Sequence, residues 1–241
     1  MKMLRAPGVY APQGDTALLM ESLDREDLRP GVRTLDLCTG TGILAVAAAR
    51  RGADATAVDI SGTSVATARV NARLHGCRVR VVRGDLAAPV ADERFDLVTA
   101  NPPYVPAASE RAPARGRRRA WDAGPDGRLL LDRICRTAPD VLAPHGVLLL
   151  VQSSLSGVTD SLAALREAGL RARVAASGIQ PFGPVMAARA AWFERQGLIP
   201  PGTRSEVLVV IRAVRETARV PVAGRDSHPV AAPGNPAAGA A

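Results

Sequence analysis

Residues 95–106 read FDLVTANPPYVP, an apolar run that stops at Asn101-Pro102-Pro103-Tyr104. Proline removes backbone donors and holds the residue before it extended, so Asn101 is an acceptor fixed at the end of a buried strand. Its side-chain oxygen and the Pro102 carbonyl together suit the two N–H bonds of one amino group, and Tyr104 offers a flat face beside them. Such a set lines up a planar nitrogen for attack on an electrophile. A proline-rich turn leaving a sheet is the simpler alternative for the tetrad taken alone.

Three further polar positions follow earlier apolar runs. Asp36-Leu37-Cys38-Thr39-Gly40-Thr41-Gly42 has glycines that let backbone approach a ligand and present amides at a helix start. Asp59 lies 17 residues beyond Gly42, a spacing at which a carboxylate accepts both hydroxyls of a ribose. Asp85, in Gly84-Asp85-Leu86, falls within reach of a base held between them. Each alone has an ordinary structural reading as a turn or cap. Four in consecutive order point to a nucleoside-bearing cofactor with an amine or amide acceptor next to it. Gly40 to Ala45 also fits the dinucleotide pattern GxGxxG/A, which makes a nicotinamide dehydrogenase a competitor. That pattern explains Asp59 but gives no role to Asp36 or to the Asn101 tetrad.

The elements that must hold these residues alternate. Strands are expected at 32–37, 53–59, 78–86, 95–100, 146–154, 170–177 and 205–214, with helical spacers at 43–51, 61–74, 126–136, 159–168 and 185–196. Asp15 is expected to cap a first helix over 16–22. This is the pattern of crossover units in a mostly parallel sheet, where ligands bind at the carboxyl ends of the strands. Residues 107–127 interrupt it with a long loop carrying Arg111, Arg115, Arg117, Arg118 and Arg119, either a solvated loop or a steering surface for an acidic or RNA-associated substrate. Trp192 and Phe193 fall on the helix at 185–196, read as a cover on the sheet rather than a substrate wall.

The 241 residues, 47% of them hydrophobic, suffice for one domain with a sizeable core. The net charge of +8 is almost wholly arginine, Lys2 being the single lysine, which fits either an anionic partner or a bias in codon usage. Cys38, Cys77 and Cys135 lack ligand or redox spacing and read as reduced thiols; His75, His145 and His228 form no constellation. The sequence shows neither a signal-peptide pattern nor a membrane span.

The glycine loop, Asp59, Asp85 and NPPY together resemble class I S-adenosylmethionine-dependent methyltransferases. Within that class, VYAPQGDTALLMESL (9–23), NPPYVP and RAWDAGPDGRLLLDRI (119–134) resemble the HemK-type glutamine methyltransferases, over roughly residues 9–214. The resemblance implies a Rossmann-like α/β fold: a seven-stranded, mostly parallel sheet with an antiparallel last strand and helices on both faces. The methyltransferase domain is expected over 31–215, after an arm and helix in 1–30, as in the short branch without an extra N-terminal helical domain. A disordered tail is expected over 216–241. The implied cofactor is S-adenosylmethionine, held by Thr16, Asp36, Cys38, Gly40, Gly42, Asp59, Ile60, Asp85, Leu86 and Asn101. Asn101, Pro102 and Tyr104 are the implied catalytic residues, with no metal.

The implied reaction is methylation of a glutamine side-chain nitrogen in a protein such as a peptide-chain release factor, by an enzyme of the cytoplasm, with a small activating subunit as a further partner. NPPY is shared with enzymes that methylate adenine amines in nucleic acid. An adenine methyltransferase and a catalytically silent fold serving as a binding subunit are therefore the alternatives. Two positions depart from the family: Cys38 replaces the first loop glycine, and Gly14 replaces an acidic residue common in the short branch.

Overall fold

The computed structural model describes residues 1–216 except 112, 114 and 115, so the expected tail lies almost wholly outside the described residues. In chain order the elements are α1 (Gly14–Leu23), β1 (Arg33–Leu37), α2 (Ile43–Arg50), β2 (Asp54–Asp59), α3 (Gly62–Leu74), β3 (Val79–Arg83), β4 (Phe95–Ala100), α4 (Leu131–Val141), β5 (Leu142–Ser153), α5 (Val158–Glu167), β6 (Leu170–Pro181), α6 (Pro184–Arg195) and β7 (Ser205–Arg215). The strands form one sheet in the order β3-β2-β1-β4-β5-β7-β6. Neighbours from β3 to β5 pair in parallel, and β7 runs antiparallel between β5 and β6, as expected.

The central strands are apolar on both faces because both are covered. In β5, Leu148 and Leu150 join the core that holds Leu131, Ile134, Met186 and Phe193 of α4 and α6. Val147, Leu149 and Val151 point the other way, against Leu19 and Leu23 of α1 and Leu44 and Ala48 of α2. The registers Leu37↔Val58, Leu37↔Ala100 and Asp59↔Arg83 bring the carboxyl ends of β1 to β4 level with one another. The side chains just past those ends therefore share one edge.

Two helix starts differ from the expectation. Asp15 lies inside α1, whose N-cap is Gln13 with no side-chain cap, because its carboxylate is engaged by tyrosines from elsewhere in the chain. The helix expected from residue 126 begins at Leu131. Pro125-Asp126-Gly127 makes a turn instead: Asp126 Oδ1 accepts the Arg128 amide, and Gly127 has φ 74°, a left-handed conformation natural to glycine. A Cβ at Gly127 would lie 2.3 Å from the Tyr104 carbonyl oxygen, so the turn is pressed against the tetrad.

Candidate active site

A cavity of about 430 Å³ opens at the carboxyl ends of β1 to β4. Of the residues expected to form the site, Thr16, Asp36, Cys38, Gly40, Asp59, Ile60, Asp85, Leu86, Asn101, Pro102 and Tyr104 all line it. Gly42 does not. Its φ is 83°, and a Cβ there would sit 2.9 Å from the Ala68 Cβ, so Gly42 lets α2 pack closely on α3.

The loop after β1 is built on Asp36. Its carboxylate accepts hydrogen bonds from the Thr39 hydroxyl at 2.5 Å and the Thr99 hydroxyl at 2.8 Å, which ties the loop to β4. Full burial pushes the Asp36 carboxyl up to about 6, against the opposing pull of those two bonds. At Gly40 a Cβ would meet nothing nearer than the Cys38 carbonyl oxygen at 4.0 Å, so the backbone there is open to the cavity. Asp59 accepts the Gly40 and Ser61 amides at 2.9 and 2.8 Å, which fixes both carboxylate oxygens. Desolvation raises its carboxyl, and the nearby Arg119 acts in the other direction. Asp85 is more exposed and pairs with Arg133 at 2.7 Å. Leu86 beside it adopts φ 48°, an uncommon conformation for a leucine, and is held there by burial in the core.

Sequence reading missed the residue that organises the tetrad end of the cavity. Asp15 is buried, and its Oδ2 accepts the hydroxyls of Tyr10 at 2.8 Å and Tyr104 at 3.0 Å. Its Oδ1 accepts the Thr16 amide at 2.5 Å and the Thr16 hydroxyl at 3.1 Å. That hydroxyl in turn accepts the Asn101 amide nitrogen at 3.2 Å. Asn101 Nδ2 is thus committed to Thr16, leaving Oδ1 as the acceptor of its side chain. Both polar ends of the tetrad hang from one carboxylate. Burial and the nearby carboxylate push the Tyr104 phenol up, so it stays a neutral donor. The signal available in the sequence was the short spacing of Tyr10, Asp15 and Thr16.

The tetrad is braced from behind as well. Val105 donates to the Trp121 carbonyl at 2.8 Å, Ala123 to Val105 at 3.1 Å and Ala107 to Gly124 at 2.8 Å, closing the base of the arginine loop. Arg189 of α6 reaches the Pro106 carbonyl at 2.9 Å and Asp122 at 2.5 Å. Trp192 and Phe193 lie outside the cavity lining and pack on the core side of α6. The N-terminal arm crosses the site: Asn71, fully buried, exchanges two hydrogen bonds with Leu4 and donates to the Thr41 carbonyl, while Gly8, Tyr10 and Pro12 line the cavity. Among the described residues no cluster of three His, Cys, Asp or Glu suits a metal, and no helix is long and apolar enough to cross a membrane.

The family model described as Methyltransferase small domain matches residues 1–115. A Methanocaldococcus jannaschii relative, provisionally named protein N5-glutamine methyltransferase, is 32% identical over 187 residues, covering 77% of this chain and 93% of that one. The chain belongs to the HemK-type glutamine methyltransferase family. A family member from Geobacter sulfurreducens, named release factor glutamine methyltransferase, is 37% identical over 59% of this chain and 52% of its own length. The chain thus spans about half of that longer relative. The fold is also that of the E. cuniculi Mtq2–Trm112 complex, described as responsible for methylating the termination factor eRF1, with a TM-score of 0.60, 23% identity, and coverage of 87% of this chain and 99% of that chain.

The two departures from the HemK-type pattern have structural counterparts. Cys38 has φ 58°, a left-handed conformation that a glycine would adopt without strain. Burial and the neighbouring Asp59 and Asp36 push its thiol well up, which keeps it protonated. At Gly14 a Cβ would meet the flexible end of Gln180 at 1.5 Å, so the space beside this position is filled by Gln180 from β6.

Proposed function

We propose that this protein transfers a methyl group from S-adenosylmethionine to the side-chain amide nitrogen of a glutamine in a protein substrate, of which a peptide-chain release factor is the first candidate. The observation that carries the reading is the hydrogen-bond chain from Asp15 through Thr16 to Asn101, which commits Asn101 Nδ2 and leaves Oδ1 to accept a substrate N–H. The names of the relatives support the choice of glutamine.

The cavity suits the cofactor on its own terms: an open backbone at Gly40, a fixed carboxylate at Asp59 and the apolar side chains of Ile60 and Leu86 in its lining. In this reading Asp59 accepts the ribose hydroxyls, Asp85 accepts the amino group of the base, and Asp36 supports the loop. When bound, S-adenosylmethionine supplies an electrophilic sulfonium methyl. The Asn101 Oδ1 and the Pro102 carbonyl hold the two N–H bonds of the substrate amide, and Tyr104 limits its tilt. An amide nitrogen is a weak nucleophile because its lone pair is delocalised, so orientation and support of the developing positive charge are the main contributions open to these residues. Orientation can supply up to about 7–11 kcal/mol in ideal cases. A small protein subunit that activates the enzyme is a further expectation, motivated by the complex formed by the E. cuniculi neighbour.

The test is incubation with radiolabelled S-adenosylmethionine and a cell lysate. Label in protein, released as methylated glutamine on hydrolysis that spares the amide, is the expected result. Label in nucleic acid would replace the reading with amine methylation of a base, and no label in either would favour a binding role.

A further inference from the structure

A cleft of about 570 Å³ lies at the amino ends of β2 and β3, the opposite end of these strands from the cofactor cavity. Among the described residues five arginines line it: Arg33 at the start of β1, Arg69 and Arg73 in α3, Arg78 just before β3 and Arg80 within it. They face two carboxylates, Asp54 and Glu93, an excess of three positive charges. Glu93 is shared, accepting Arg80 at 2.5 Å and Arg33 at 2.6 Å, and the two guanidiniums hold its carboxyl below the usual range. Arg69 donates to the Val81 carbonyl at 2.8 Å. Arg73 and Arg78 are exposed and have no side-chain partner among the described residues. Because β3 is an edge strand, charge on it also discourages pairing with another sheet. That accounts for Arg78 and Arg80, but not for the arginines that β1 and α3 bring to the same cleft.

We infer that this cleft holds the phosphodiester backbone of a nucleic acid. A guanidinium fork matches two phosphate oxygens, and the charge excess suits about three phosphates. The described lining has no aromatic residue and nothing apolar larger than Val79, so it offers neither a stacking platform for bases nor the buried anchor that an acidic protein partner needs. From β1 to β3 is two interstrand spacings, about 10 Å, which gives the cleft the length of a short run of backbone. The five residues of β3 separate it by about 16 Å from the strand ends that carry the cofactor cavity, so a strand bound there leaves that cavity open. The cleft thus holds the enzyme on a substrate that is itself bound to RNA. This adds a binding activity to the proposed methyl transfer and does not depend on the acceptor being glutamine.

The test follows the fluorescence anisotropy of a labelled single-stranded RNA of about 12 nucleotides with the full chain, across a salt series, beside DNA of the same sequence and an oligoglutamate of equal length. The expected result is saturable RNA binding whose log affinity falls against log salt with a slope near −2, about 0.7 for each of three phosphates. DNA should bind within about threefold of RNA, and oligoglutamate at least tenfold more weakly. Arg73→Gln combined with Arg78→Gln should weaken RNA binding at least fivefold and flatten the slope by about one unit, while the paired lysine replacements keep the slope. Arg111→Gln combined with Arg118→Gln, in the arginine loop, should leave both within twofold, and cofactor affinity should stay within twofold in every variant. Unchanged RNA affinity in the Arg73/Arg78 variant, an equal loss in the Arg111/Arg118 variant, a tenfold preference between RNA and DNA, or equal binding of oligoglutamate would overturn the inference. RNA binding that follows this pattern in a protein that methylates no glutamine would uphold it and count against the proposed reaction alone.

Discussion

Asp15 is the residue from which both polar ends of the Asn101–Tyr104 tetrad hang, and it was the least legible in the sequence. A carboxylate one position into a helix reads as a cap. Its actual partners, Tyr10 and Tyr104, stand 5 and 89 residues away, and only the fold brings their hydroxyls to one oxygen. By contrast Asp36, Asp59, Asp85 and Asn101 were legible because each sits at or just past the end of a local apolar run, and strand ends in a parallel sheet converge by topology. The shared oxygen makes a prediction. Tyr10→Phe and Tyr104→Phe should each destabilise the protein by about 1–3 kcal/mol, and a double-mutant cycle in urea should show a coupling of at least about 0.5 kcal/mol. Strict additivity would mean the two hydroxyls are independent. Asp36 makes a second. Because burial holds its folded carboxyl at about 6, above the ordinary 3.8, its contribution to stability is full below the ordinary value and lost as pH rises through about 6. Asp36→Asn should remove that dependence, so native stability should fall relative to the variant by about 3 kcal/mol between pH 3.5 and 7, read from denaturant midpoints.

The element most informative about the site is the turn that precedes α4. Gly124-Pro125-Asp126-Gly127 carries the turn chemistry that favours glycine and aspartate, so the sequence held a signal that the apolar period of the following helix obscured. Why the turn must be there was not legible: Gly127 lies against the Tyr104 carbonyl, and Ser156 donates to that same carbonyl at 2.7 Å. Arg128 then carries the turn into the core, donating to the Ser156 and Gly157 carbonyls and to Asp132. Gly127→Ala should therefore lower kcat by at least about tenfold through displacement of Tyr104, with cofactor affinity within about threefold, because misplacing a positioning group costs rate before it costs cofactor binding. Gly42→Ala belongs to the opposite kind. It should cost about 2–4 kcal/mol of stability, from a left-handed φ and the contact with Ala68, measured by thermal melting.

At the scale of the whole molecule, the sheet supplies a level row of strand ends, and the start of α1, the N-terminal arm and the base of the arginine loop line the cavity above it. The row was legible as alternation of strands and helices. The arm was not, because its anchors, Asn71 on Leu4 and Asp15 on Tyr10, are single side chains without a sequence period. In the proposed reaction Asn101 presents an acceptor to a glutamine amide beside a bound methyl donor. The most direct measurement incubates the protein and its Asn101→Ala variant with S-adenosylmethionine and a recombinant release factor, locates any methyl group by tandem mass spectrometry, and measures cofactor affinity by titration calorimetry. The expected result is a methyl on a glutamine side-chain nitrogen with the native protein, loss of transfer by at least about a hundredfold in the variant, and cofactor affinity within a few-fold, as for a group that supports the reacting amide. Near-native transfer by Asn101→Ala, or a methyl group found at a site other than a glutamine nitrogen, would contradict it.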